Sequence, residues 1–293
     1  MKILTFAGDN GLKLGVATSS GVLDVAQAAG TLGKSDVPTT PDAFYSAGSS
    51  AVDSLADLVS ASNGNDSLFH AEDSLTLGPC VPNPGKIICV GLNYSKHAAE
   101  SGMAEPSTPV LFSKFNNSIA APNEAVPLQA NAEKYDYEAE LVVVIGKRAK
   151  YVSEADALDY ILGYCNGNDI SARDLQMLTG QWLLGKTLDK FMPIGPYVVT
   201  TDEAGDPKDM SVKCWYNGEL RQNSNTSDLI FSVAEVVSYI SQYMTLEPGD
   251  IISTGTPEGV ILGMNPQNWM KPGDETTVEI GVLGRLTNKM VAG

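Results

Sequence analysis

The chain has 293 residues, 35 acidic against 19 basic side chains, a formal net charge of -16 and a sequence pI near 4.4. An average surface this acidic repels phosphate, which argues against nucleic acid or an anionic membrane as partner. The length allows a large core plus a minor unit, since single domains mostly run to about 100–200 residues.

The chain opens Met1-Lys2-Ile3-Leu4-Thr5-Phe6 and soon meets Asp9 and Asn10. It offers neither the apolar core of a signal peptide nor a run long enough to span a bilayer, so the expectation is a soluble, cytoplasmic protein. Short strands are predicted at Lys2 to Ala7, Leu12 to Ala17 and Gly21 to Val25. A helical stretch follows around Pro41 to Ser60, where Phe44, Val52, Leu55, Leu58 and Val59 can share an apolar stripe. Residues 1–77 therefore read as a small N-terminal α/β domain. The Pro- and Gly-rich segment 78–85 continues neither element and marks the boundary to a second unit, residues 78–293. There the strand candidates are Ile87 to Gly91, Pro109 to Lys114, Glu138 to Ile145, Ile161 to Cys165, Tyr197 to Thr200, Ser211 to Tyr216, Asp250 to Thr254 and Glu275 to Ile280. So many strands with few helices predict a β-rich α+β fold with two or more sheets around a cleft. The four cysteines, Cys80, Cys89, Cys165 and Cys214, have no Cys-x-x-Cys spacing and read as buried free thiols.

Glu138-Ala139-Glu140 runs into a β-branched stretch, so both carboxylates fall on one face of a strand. Asp169 follows a second strand and the polar run Asn166-Gly167-Asn168. Three oxygen ligands without a paired His or Cys suit Mg2+ or Mn2+ rather than zinc. Taken alone, Glu-x-Glu on a strand is more often a solvated face. Upstream, Val90 to Glu100 leaves a strand through Gly91 and enters a short helix in which His97 and Glu100 face the same way. A carboxylate beside an imidazole fixes its tautomer and raises its basicity, which suits a general base; the plainer alternative is a surface polar pair on a lid helix. The segment from Asn93 to about Met103, with Gly91 before its polar run and Gly102 after it, is expected to be mobile without ligand and to order over bound ligand.

These segments, in order, resemble the fumarylacetoacetate hydrolase family from about Lys86 to the C-terminus. The resemblance is carried by GLNYSKHAAE at 91–100, PVLFSKFNNSIAAP at 109–122, YDYEAELVVVIGK at 135–147, NDISARDLQ at 168–176, GKTLDKFMPIGP at 185–196, NGELRQ at 217–222 and LEPGDIISTGTPEGV at 246–260. It implies a twisted β-roll catalytic domain, a homodimer, and metal-dependent chemistry on a short 2-oxo acid. It assigns Glu138, Glu140 and Asp169 to Mg2+ or Mn2+, His97 and Glu100 to a catalytic lid pair, and Lys186 to the active-site lysine. Arg173, Gln176 and Thr256 would then contact the substrate carboxylate. The expected reaction is hydrolysis of a carbon–carbon bond in a 2,4-dioxo acid, an acylpyruvate or a 2,4-diketo-3-deoxy sugar acid, releasing pyruvate or a related 2-oxo acid. Decarboxylation of oxaloacetate, or a related lyase or isomerase reaction, is the alternative among enzymes. Outside enzymes, the three carboxylates would only tie sheets together in a metal-stabilised binding module.

Overall fold

The computed structural model describes residues 1–293. Strand Ala139–Ile145 is buried along its whole length, as expected of a continuous apolar, β-branched run covered on both faces. It pairs antiparallel with Ile161–Asn168 on one side and Ile251–Ser253 on the other. Beyond Ile251–Ser253 lie Ile87–Gly91, in parallel, and then the edge strand Val110–Lys114. On the opposite side Ile161–Asn168 pairs with Met192–Thr200, which takes up Lys2–Gly8. The meander Lys2–Gly8, Gly11–Thr18, Gly21–Asp24 and Phe69–His70 thus continues the same eleven-stranded sheet.

Side-chain alternation along Ala139–Ile145 separates two cores. Val142 and Val144 pack with Ile3, Leu14, Val16 and Leu23 of the N-terminal strands. Leu141, Val143 and Ile145 pack with Val212, Cys214, Val278 and Ile280. The latter group belongs to a five-stranded sheet ordered Glu219–Asn225, Ser211–Tyr216, Glu275–Ile280, Arg285–Ala292 and Val126–Leu128. Residues 1–77 therefore share both a sheet and a core with the chain beyond the Pro- and Gly-rich segment. All four cysteines are buried and free, and no helix is long and apolar enough to cross a membrane. This is a mixed α+β architecture with large sheets and few helices.

Several elements differ from expectation. The helical stretch after Pro41 is two helices, Pro41–Ala47 and Val52–Ala61, joined by a 3-10 turn at Gly48–Ala51. Gly48 has φ +60°, and a β-carbon there would collide with the carbonyl of Gly146. Val25 opens a helix, Val25–Leu32, instead of ending a strand, because the Asp24 side chain accepts the Gln27 N–H at 3.1 Å and caps it. The strand Arg285–Ala292 and the helix Val233–Tyr243 were not anticipated, whereas the hairpin signal Asn217-Gly218 does lead into a returning strand, Glu219–Asn225.

Candidate metal centre and active site

Glu138 immediately precedes Ala139–Ile145, and Asp169 immediately follows Ile161–Asn168. Because these strands are antiparallel with Ala139 opposite Asn168, the two carboxylates meet at one end of the sheet. The Asp169 N–H donates to the Glu138 carbonyl at 2.9 Å and fixes that corner. Glu140 lies one pleat further along on the same face. One oxygen from each of the three buried carboxylates falls within 4.8 Å of the others. Three hard oxygen donors in a buried cluster fit a divalent cation of the Mg2+ or Mn2+ type.

Each carboxylate is also held by a partner. Glu140 Oε2 accepts from Ser253 Oγ at 2.6 Å and from the Gly255 N–H at 2.8 Å. Glu138 Oε1 accepts from Arg173 Nη2 at 2.7 Å, and Glu138 Oε2 accepts from Lys186 Nζ. Lys186 also donates to Asp169 Oδ2 at 2.7 Å and lies 5.0 Å from the Phe112 ring centroid. On its far oxygen, Oδ1, Asp169 accepts from Lys114. Arg173 is anchored by Asp136, which accepts from Nε at 2.9 Å and from the backbone N–H groups of Ile261 at 2.8 Å and Leu262 at 3.0 Å. Asp136, Arg173, Glu138, Lys186, Asp169 and Lys114 therefore form a buried string of alternating charge.

The string sets the electrostatics. Burial opposes ionisation of Glu138, yet the positive charges of Arg173 and then Lys186 hold its carboxyl well below the usual range. Burial likewise opposes the Lys186 ammonium, but Asp169 and Glu138 raise its pKa above the ordinary lysine value. Glu140 lacks a cation of its own, so burial, with Asp169 and Glu138 adding, pushes it up to about 8. It is the carboxyl that most needs a further positive charge.

The cavity above these groups is lined by Glu138, Glu140, Asp169, Arg173, Gln176, Lys186, Thr256 and His97, with Val90, Phe112, Met103 and Trp182 on its apolar side. The structure thus brings together every residue singled out from sequence except Glu100, which stands behind His97. Glu100 Oε2 is 3.6 Å from His97 Nδ1, longer than a hydrogen bond, while its two oxygens accept from the Gly259 N–H at 3.2 Å. Asn93 is pinned: its side chain donates to the Thr254 carbonyl at 2.8 Å and accepts from the Phe231 N–H at 2.8 Å. The guanidinium of Arg173, expected to face a substrate carboxylate, is turned to Asp136, Glu138 and, at 3.0 Å, Gln176 Oε1. Thr256 Oγ1 accepts from Gln222 Nε2 at 2.8 Å. Asp136 and Lys114 were not singled out, although both lie inside the motif segments 135–147 and 109–122.

Comparison with known proteins gives the family. Residues 86–291 match the family described as fumarylacetoacetate (FAA) hydrolase C-terminal. The chain is 42% identical to a fumarylacetoacetate hydrolase domain-containing protein 2 homolog of Dictyostelium discoideum, over 99% of this chain and 97% of that one. It is 43% identical to a mitochondrial oxaloacetate tautomerase of Homo sapiens, over 72% of this chain and 68% of that one. The fumarylacetoacetate hydrolase structure from Exiguobacterium antarcticum superposes with a TM-score of 0.85 at 33% identity, covering 100% of both chains. With a carboxylate triad at the end of a central strand and a family match spanning most of its length, the chain belongs to the fumarylacetoacetate hydrolase family of enzymes.

Proposed function

We propose that this chain is a Mg2+- or Mn2+-dependent enzyme that interconverts the keto and enol forms of oxaloacetate or a closely related short 2-oxo acid. The observation that carries the proposal is the meeting, in one cavity, of a buried three-carboxylate cluster, a lysine held against two of its members, and a histidine. The relatives named oxaloacetate tautomerases favour oxaloacetate over other 2-oxo acids. Glu138, Glu140 and Asp169 would hold the cation, which when bound supplies a Lewis acid for the substrate's carboxylate and keto oxygens.

The chain's own residues divide the remaining work. His97 takes the C3 proton in the keto-to-enol direction and returns it in the reverse, Lys186 gives and recovers the proton on the enol oxygen, and Glu100 orients the imidazole from behind as the lid tightens. The Lys186 ammonium faces the negative charge that develops on the enolate oxygen. Gln176 and Thr256 meet the substrate carboxylate, joined by Arg173 to the extent that its fork shifts from Glu138. The apolar side of Phe112, Met103 and Trp182 keeps water from the reacting carbon.

Hydrolysis of an acylpyruvate or a 2,4-diketo-3-deoxy sugar acid is the second reading. The His97–Glu100 pair favours it, because an imidazole backed by a carboxylate suits activation of water. Purified protein supplied with Mg2+ or Mn2+ tests both. Loss of the enol absorbance of oxaloacetate without pyruvate release supports tautomerisation. Pyruvate with a second carboxylic acid from a 2,4-dioxo acid supports hydrolysis, and pyruvate with carbon dioxide from oxaloacetate supports decarboxylation. No turnover with any of them would refute the proposal. A homodimer belongs to the same proposal: the edge strand Val110–Lys114 borders an apolar groove that includes Phe115 and Met244, and sedimentation would give the assembly.

A further inference from the structure

Lys114 ends the edge strand Val110–Lys114, a place where a lysine ordinarily extends into water. Here its side chain is fully buried. The ammonium nitrogen is surrounded by three acceptors: Asp169 Oδ1, the Ile170 carbonyl at 3.1 Å and the Phe191 carbonyl at 2.6 Å. Burial lowers the Lys114 pKa and Asp169 opposes that shift; the geometry decides for the charged form, because a neutral amine has only two N–H groups and the nitrogen faces three acceptors. Lys114 does not line the cavity above the carboxylates. Its only link to the chemistry is Asp169, whose other oxygen, Oδ2, is turned toward Lys186 and the cavity.

Resting on the metal-site reading above, we propose that Lys114 is a positioning residue. It fixes Asp169 with Oδ2 alone presented to the cation, and it supplies the third positive charge that makes the loaded site attract an anion. The ionisable groups linked in the buried string, with Glu140 beside it, are the acids Asp136, Glu138, Glu140 and Asp169 and the bases Lys114, Arg173 and Lys186, with His97 taken as neutral. With a divalent cation bound and all four acids ionised, four negative charges against three positive and the cation's two leave the loaded site one charge positive. Without Lys114 the loaded site would be neutral, and a 2-oxo acid would lose its net attraction.

The count predicts opposite changes in two affinities. Removing the Lys114 charge makes the empty site more attractive to a cation and the loaded site less attractive to an anion. A residue that merely supports the fold would weaken both when replaced.

The test is calorimetric titration of chelator-stripped protein with Mn2+, then of the Mn2+-loaded protein with oxalate, in wild type, Lys114→Gln and the charge-keeping Lys114→Arg. Lys114→Gln is expected to bind Mn2+ more tightly and oxalate more weakly, each by about tenfold for one charge removed at this range. Lys114→Arg is expected to move oxalate binding less than Lys114→Gln. Weaker Mn2+ binding together with weaker oxalate binding, or no change in either, would overturn the proposal. Wild-type protein that fails to bind Mn2+ would instead overturn the metal-site reading. Should Lys114→Gln not fold, wild-type crystals grown with Mn2+ decide it. Asp169 reaching the ion through Oδ2 alone, with Lys114 still on Oδ1, supports the proposal; coordination through Oδ1, or an ammonium moved away, refutes it.

Discussion

Replacing Asp136 by Asn should be among the most damaging single-atom changes in the chain. The carboxylate is fully buried and accepts from Arg173 Nε at 2.9 Å, from the N–H of Ile261 at 2.8 Å and from that of Leu262 at 3.0 Å. It also pairs with Arg173 Nη2 at 2.8 Å. Asparagine keeps the shape but puts an NH2 group where an acceptor is needed and leaves Arg173 with one carboxylate in place of two. Breaking a buried ion pair from one side costs about 3–5 kcal/mol. Burial already pushes Asp136 above the usual carboxylate range in spite of Arg173, which offsets part of the pair's worth and favours the lower figure, about 3 kcal/mol. Urea unfolding in chelator measures it, with Glu247→Gln as reference. Glu247 pairs with Arg148 at the surface, where the side chains are 48% and 67% exposed, so its loss should cost about 0–1 kcal/mol. If Asp136→Asn falls within about 1 kcal/mol of wild type, the string of charge does not stabilise the site as described.

Three further outcomes are expected. Glu140, pushed up to about 8 by burial with Asp169 and Glu138 adding, binds its proton more tightly in the folded than in the unfolded chain. Its contribution is complete below the unfolded value of about 4.3 and is lost as pH rises through about 8, at up to about 1.4 kcal/mol per pH unit. Melting of chelator-stripped protein across that window should therefore fall with pH and recover with Mn2+, and a flat or rising curve would refute the assignment. Lys186→Met frees both Glu138 and Asp169, so Mn2+ should bind about tenfold more tightly while kcat falls at least about a hundredfold. Calorimetry showing weaker Mn2+ binding would count against Lys186 as a positive charge that competes with the cation for these two carboxylates. Gly91→Ala places a β-carbon against the Trp182 ring and should cost about 1–3 kcal/mol by overpacking, measured by urea unfolding; a cost near zero would mean that the indole is free to move.

Much of the sheet was legible because burial writes itself into strand sequences. Ile87–Gly91, Ser211–Tyr216 and Glu275–Ile280 have the bounds expected of them. The strands whose extent was not legible are those whose chemistry is set by position. Glu219–Asn225 reads ELRQNSN, polar enough to pass for a loop, and is held by a hairpin with Ser211–Tyr216. Met192–Thr200 begins earlier than Tyr197 because Pro193 and Pro196 look like punctuation and yet stand inside a strand. The helix Val233–Tyr243 did carry a local signal, since Ser232 and Glu235 form a capping box.

The site divides along the same line. Glu138, Glu140 and Asp169 could be picked out because alternation and a strand end place carboxylates by local rules, and the antiparallel register then brings them together. Lys114 and Asp136 carried no such mark. A lysine at the end of an edge strand has the same local sequence whether it extends into water or turns inward. Its fate depends on Asp169, Ile170 and Phe191, which are 55, 56 and 77 residues away. Arg173 shows the complementary case, in which a side chain placed in the site by its motif has its fork occupied by Asp136, 37 residues away, and by Glu138. Local pattern marks the anionic ligands, whereas the positive charge that lets such a site attract an anion is assembled from side chains distant in sequence. On the function proposed above, a chain with a formal net charge of -16 would attract an anionic substrate because the relevant charge is that of a few buried groups around one cavity, screened by protein from the acidic surface.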